Sequence, residues 1–203
     1  MLTEKNDLRN LFRSVCETYH VATTNGKGWA DFNSRAAMML RFQKHELEGR
    51  QCVLLYCGDH NPDGLRISSA LRSNLAELET AVGWSPENLE VDRFGLNRDF
   101  IDKHNLTWIS PLSTGHKEGI ALNDKRHKNN KMAYVQNYIN AHGERKVEAN
   151  MIVAKWREGR ELCLQTILKY VPEDAPEVYR KTLRPYTEEA KEELRNRVSP
   201  DAV

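Results

Sequence analysis

Long apolar runs are missing from this chain. Nothing in its 203 residues approaches the roughly 18 consecutive apolar positions that cross a bilayer, and no signal peptide opens it. The expectation is a protein with no membrane partner and a cytoplasmic location. Cysteine is scarce: Cys16, Cys52, Cys57 and Cys163 lack the close spacing of a zinc site or a disulfide framework, which leaves reduced core thiols. The seven histidines form no HExxH pair. His60 alone lies near acidic residues, and His20, His45, His104 and His142 read as surface or structural groups. A strong net charge is also absent. At +1 overall, any contact with nucleic acid must come from local patches. No internal repeat or low-complexity tract is visible.

What is present is an alternation of short apolar runs and helical patterns, in a chain long enough for one sizeable core. Leu2 to Glu4 reads as a short first strand, Asp7 to Tyr19 as a helix and His20 to Thr23 as a second strand, followed by the turn Asn25-Gly26-Lys27-Gly28. Asp31 is placed to cap a helix running to His45 or beyond, with Ala36, Ala37, Leu40 and Leu47 towards the core and Gly49 at its end. Cys52 to Cys57 is apolar on successive residues, as in a strand covered on both faces, and its two cysteines should point to opposite sides. Leu65 to Val82 follows as a helix, Leu89 to Arg93 as a strand, and Asn97 or Asp99 starts a short helix. Met132 to Ala141 and Glu158 to Tyr170 carry helical spacing, and Pro172, Pro176 and Pro185 separate them from a last charged helix, Thr187 to Arg197. This order predicts an α/β fold, a mostly parallel sheet with helices on both faces, over residues 1–170, and a helical C-terminal extension over 171–203.

The stretch with the most chemistry is Gly58-Asp59-His60-Asn61-Pro62-Asp63-Gly64-Leu65, directly after the apolar strand. In open α/β sheets, sites form beyond the carboxyl ends of strands, so Asp59, Asn61 and Asp63 stand where a cation or substrate is usually held. The plainer reading is a strand-to-helix turn, with Asp and Asn supplying turn geometry and capping. A calcium loop fails because its twelfth position is Ala70 and a strand leads into it. A Walker phosphate loop fails because no Gly-Lys-Ser/Thr follows a suitable glycine spacing.

These residues resemble the Gly-Asp-His-Asp-Pro-Ser-Gly form of the second signature of Toprim domains, the fold shared by topoisomerases, bacterial primases and several nucleases. The likeness is greatest to the branch holding the A subunit of topoisomerase VI and the meiotic double-strand-break protein. A Toprim domain also needs a Glu at the end of its first strand, and Glu4 stands at a suitable distance upstream. Arg93-Phe94-Gly95-Leu96, Asp124 with Arg126, and Val147-Glu148-Ala149 are softer matches. One departure is Asn61, which replaces the second aspartate of the signature by a neutral amide. A hard cation such as Mg²⁺ loses a formal charge there, and Asp63 is in position to restore it.

The resemblance implies phosphodiester cleavage or transfer on DNA or RNA, with Mg²⁺, or Mn²⁺ in its place, held by Glu4, Asp59, Asn61 and Asp63. It implies catalytic roles for Glu4 and Asp59, with Glu148 as a further acidic candidate. Arg93, Lys125, Arg126 and Lys128 are candidate phosphate contacts, against the plainer reading of the basic run Lys125 to Lys131 as solvated surface. Topoisomerases of the branch carry their tyrosine nucleophile on a domain ahead of the Toprim unit. Only three residues precede Glu4, and none of the seven tyrosines has a nucleophile's context. The expectation is a stand-alone nuclease or nicking domain, or a fragment whose upstream DNA-binding domain or partner subunit lies elsewhere. The alternative is a catalytically weak module that binds nucleic acid or a partner, and primase-like nucleotidyl transfer ranks last. Asp59→Ala is expected to abolish cleavage with the fold retained.

Overall fold

The structure is a computed structural model that describes residues 1–26, 31–113 and 119–197. The Lys27-Gly28 part of the second turn, the Thr114 to Lys117 part of the loop after Pro111, and the last six residues of the C-terminal extension lie outside the described residues. Among the described residues four strands, β1 (Leu2–Thr3), β2 (Thr24–Asn25), β3 (Val53–Cys57) and β4 (Glu90–Gly95), form one all-parallel sheet in the order β2-β1-β3-β4. The helices are α1 (Asn6–Thr18), α2 (Phe32–Leu47), α3 (Pro62–Ala76), α4 (Glu79–Val82), α5 (Arg98–Lys103), α6 (Ala133–His142), α7 (Trp156–Leu168) and α8 (Ala175–Arg197), with 3-10 turns at Pro86–Asn88 and Ala149–Lys155. No helix among the described residues is long and apolar enough to cross a membrane.

The strand period of two splits the core into layers. On β3, Leu55 and Cys57 join Leu8, Phe12, Ile101, Ile152 and Cys163 beneath α1, α5 and α7. Leu54 and Tyr56 point the other way, with Cys52, onto Met39, Leu71, Leu75 and Trp84 beneath α2 and α3. Cys52 and Cys57 therefore face opposite sides, as their odd spacing requires, and all four cysteines are free and buried. A third, smaller cluster packs Leu112 and Leu122 onto Val135 and Tyr138 of α6.

Several boundaries differ from the sequence expectation. The second strand falls at Thr24–Asn25, after His20 takes a left-handed conformation at φ 54° that ends the α1 region and delays extension. The third helix starts at Pro62, three residues before Leu65, because Asn61 caps it and Pro is favoured in a first turn. Leu40 and Leu47, expected in the core, are 53% and 84% exposed. Met38 and Met39 carry the buried face of α2 instead, since a short two-layer contact with α3 covers only one narrow stripe. The last helix runs through Pro185 from Ala175, with residues 177–195 exposed. Pro176 sits in its first turn, where a missing N–H costs nothing. Pro185 removes one interior hydrogen bond from a helix whose neighbours on that turn are solvent.

Asp31 does cap α2, its Oδ2 accepting the Ser34 N–H at 2.9 Å, and Gly49 ends that helix at φ 76°. Burial makes opposite demands of two leucines. Leu75→Ala, at 0% exposure, should cost about 2–5 kcal/mol, whereas Leu47→Gln should stay within about 0.5 kcal/mol of the parent. Urea denaturation of the two variants checks both.

Candidate functional site

β1 and β3 end side by side, in register through Leu2↔Tyr56 and Thr3↔Cys57, and Glu4 and Asp59, one and two residues beyond them, meet there. Glu4 N–H bonds the Cys57 carbonyl at 3.0 Å, which turns its side chain over the end of β3. There Glu4 Oε2 accepts the Asp59 N–H at 2.7 Å and the Tyr56 hydroxyl at 3.3 Å. The turn permits this approach because residue 58 is glycine. A Cβ there would overlap the Tyr56 hydroxyl and stand 2.7 Å from Glu4 Oε2. Gly64 is required for a similar reason, since its Cβ would overlap the Asp59 carbonyl oxygen.

Asp59 is 6% exposed. Its Oδ1 accepts the buried Ala149 N–H at 2.7 Å, with Lys5 Nζ 3.5 Å away. The 146–148 segment is brought here by backbone pairing: Val147 with His60 and Lys146 with Ile109, both antiparallel. It delivers Glu148, whose Oε2 meets Lys5 Nζ at 3.1 Å and whose Oε1 meets Lys146 Nζ at 3.0 Å. Lys146 also donates to the Ser113 carbonyl at 2.8 Å. Glu4, Asp59 and Glu148 thus face Lys5 and Lys146, three carboxylates against two ammonium groups.

The electrostatics follow from this packing. Burial, and then the Asp59 charge, push the Glu4 carboxyl above the usual carboxylate range. Glu148 moves the other way, held down by its hydrogen bonds from Lys146 and Lys5. Burial acts to lower Lys5, but the charges of Asp59 and Glu148 outweigh it and the net shift is upward.

The structure separates the remaining sequence candidates from this cluster. Asn61 accepts the Gly64 N–H on its Oδ1 at 2.7 Å, which makes it the cap of α3. Asp63 lies in the first turn of α3 and accepts the Tyr134 hydroxyl from α6 at 3.0 Å. Its carboxylate is committed to a helix contact instead of restoring the charge lost at Asn61. Arg93 is no free phosphate clamp. Its guanidinium donates to the carbonyls of Gly64 at 2.9 Å and of Asp59 and Leu96 at 3.0 Å each, and to Asn97 Oδ1 at 2.5 Å. It is a strut that satisfies the backbone of two turns at once. Lys125, Arg126 and Lys128 are exposed, and Arg126 folds back on Asp124 at 2.6 Å, which matches the solvated-surface reading.

Of the four expected ligands, Glu4 and Asp59 alone converge. Among the described residues no group of three or more His, Cys, Asp or Glu side chains stands in an arrangement that could hold a metal ion. Two carboxylates do suit Mg²⁺, which keeps several waters and takes one or two carboxylates besides substrate phosphates. Sequence reasoning missed Lys5 and Lys146. Lys5 was within reach as the neighbour of Glu4, but Lys146 lies 142 positions from Glu4 in the chain and carries no local signal.

Next to Asp59, His60 is 2% exposed. One ring nitrogen, Nδ1, pairs with the Leu96 carbonyl at 2.9 Å, and Nε2 is buried with no hydrogen-bond partner among the described residues. Burial pushes its pKa down to about 4. Comparison of the chain with family models, with curated proteins and with solved structures returned no match. The Toprim resemblance therefore rests on the signature residues themselves.

Two outcomes follow. Glu4 has a raised pKa, so its ionisation opposes folding above the ordinary carboxylate range. Glu4→Gln should raise the urea midpoint at pH 7–8, with the gain vanishing as the pH falls below about 4. For His60 the unfolded chain binds the extra proton between pH 6.5 and about 4. Stability should therefore be full above pH 6.5 and fall as acid is added, by on the order of 2–3 kcal/mol. His60→Asn, which keeps a donor at the Nδ1 position, should lose that part of the acid sensitivity in the same denaturation series.

Proposed function

We propose that this chain is a Toprim-like module that cleaves or transfers phosphodiester bonds of nucleic acid in a Mg²⁺-dependent reaction. The observation that carries the reading is the meeting of Glu4 and Asp59 at the carboxyl ends of adjacent parallel strands, with the Asp59 N–H on Glu4 Oε2 at 2.7 Å and the strand signature leading into them. Glu4 and Asp59 would hold Mg²⁺, with Mn²⁺ as its substitute, and the bound ion would offset charge on the reacting phosphate. The chain's own groups supply the rest. Glu4, with its raised proton affinity and its orientation fixed by Tyr56 and the Asp59 N–H, is suited to give or take a proton at the attacking or leaving oxygen. Lys5, poised between Asp59 and Glu148, can turn its ammonium to a non-bridging phosphate oxygen.

A second reading, a module that binds nucleic acid or a partner subunit with little or no catalysis, has its own support. Lys5 Nζ already stands 3.5 Å from Asp59 Oδ1, and the signature's second acidic position is an amide committed to a helix cap. In that arrangement an ammonium group does the charge balancing that a cation otherwise does.

The two readings separate in a cleavage assay on labelled single-stranded DNA, supercoiled DNA and RNA, with Mg²⁺, with Mn²⁺ and with chelator. The informative variant is Asp59→Asn. Asp59→Ala also strips the acceptor from the buried Ala149 N–H, a loss of about 1–3 kcal/mol that clouds any activity result. Asp59→Asn should lower metal-dependent cleavage by about a hundredfold or more with the unfolding midpoint preserved. Cleavage that survives it removes Asp59 from the chemistry, and inactivity of the parent with every metal favours the binding module.

A further inference from the structure

Immediately beyond Asp59 the surface changes from carboxylates to paired aromatic and guanidinium groups. An open cavity of about 370 Å³ lies between α3 and α6, lined by Pro62, Leu65, Arg66, Tyr134, Tyr138 and His142 among others. At one end Arg66 lies over the Tyr134 ring, 4.9 Å from its centroid. At the other, His142 stacks on Trp108 at 22° and 6.3 Å. Trp108 itself lies beneath two cations, Arg145 at 4.4 Å and Arg98 at 5.4 Å. His142 ties the two halves into one strip, since it lines the cavity, contacts the Trp108 ring and stands 3.5 Å from Arg98.

We infer that this strip, the groove between α3 and α6 with the Trp108 ledge beyond it, binds unpaired nucleotides of a single-stranded nucleic acid and feeds the strand to Glu4 and Asp59. The inference rests on the nucleic-acid reading of that site and names its substrate class. Single strands are held by aromatic faces on which successive bases stack, interleaved with cations that follow the phosphates. Every base has a π-face, so such a strip is tolerant of sequence. Duplex DNA hides those faces inside its own stack and offers the protein only its phosphates and groove edges.

The side chains are accessible for this role. Arg66, Arg98 and Arg145 are exposed, and Tyr134, Trp108 and His142 are half-buried. Charge is complementary as well: three guanidinium groups border the strip, and among the described residues the acidic groups bonded to its members include Asp63, which takes the Tyr134 hydroxyl, and Asp102, which takes Arg98 at 2.7 Å. Among the described residues, neither Arg66 nor Arg145 has a carboxylate within 4 Å, which suits both charges to phosphates. Tyr138, which lines the groove, donates its hydroxyl to the carbonyl of His60, the residue after Asp59, at 2.8 Å, so the groove lies against the turn that carries Asp59.

Fluorescence anisotropy of the full chain with labelled single-stranded DNA, single-stranded RNA and duplex DNA of equal length tests this, in chelator so that cleavage does not intervene. Both single strands, or one of them, should bind at least tenfold more tightly than the duplex. Tyr134→Leu should weaken single-strand binding at least fivefold, the low end of one lost base stack, and Tyr134→Phe should restore it. Arg145→Gln should reduce the slope of log affinity against log salt by about one. Arg145 is exposed and Tyr134 half-buried, and unchanged thermal unfolding will show that the fold is intact. Equal affinity for single strands and duplex, or single-strand binding untouched by Tyr134→Leu and Arg145→Gln, overturns the strip while leaving a nucleic-acid site standing. Failure of all three probes to bind at low salt overturns both.

Discussion

The pairing of β1 with β3 is the contact on which everything else here depends. Two residues of β1 hydrogen-bond to strands on either side, and the third, Glu4, continues the ladder with its backbone while its side chain closes over the next turn. One short strand in the middle of a parallel sheet thereby sets the position of a carboxylate to within a hydrogen bond. Parallel sheets suit this because their strands all end at one edge, and the helix connections leave that edge open.

The edge is kept in shape by groups that do no chemistry of their own. Arg93 ties the Asp59, Gly64 and Leu96 carbonyls together from the end of β4, and the Tyr138 hydroxyl donates to the His60 and Arg145 carbonyls. A turn with several exposed carbonyls inside a protein needs such partners, since each unpaired one costs free energy. Arg93 and Asn61 look like ligands in the sequence because the residue types that bind phosphate and cations are the same types that satisfy backbone. The molecule uses them for the second purpose, and it is left with Glu4, Asp59, Glu148, Lys5 and Lys146 as its polar cluster.

That cluster is close to charge balance without any bound ion, and this bears on how it could work. Lys5 lowers the cost of placing Asp59 beside Glu4, and Lys146 does the same for Glu148. If a cation enters between Glu4 and Asp59, as proposed, it would compete with Lys5, whose ammonium would then be free to turn elsewhere.

Local pattern was enough to read the α/β alternation, the parallel sheet, the opposed Cys52 and Cys57, the Asp31 cap and the turn after β3, because each depends on neighbours a few residues apart. Glu4 and Asp59 were also legible, one at a strand end and one in a signature. Three kinds of information were not local. Burial of Leu47 or Met39 depends on which stripe of α2 meets α3. The committed state of Asn61, Asp63 and Arg93 depends on which backbone or side-chain group each one finds. The arrival of Lys146 and Glu148 beside Asp59 depends on a segment nearly ninety residues away pairing with His60, and that of Trp108 beside His142 goes with the pairing of Ile109 with Lys146. Chemistry that residue types carry survives in a one-dimensional chain, but whether a polar atom is free or already satisfied is a property of its surroundings, and those exist only once the chain has folded.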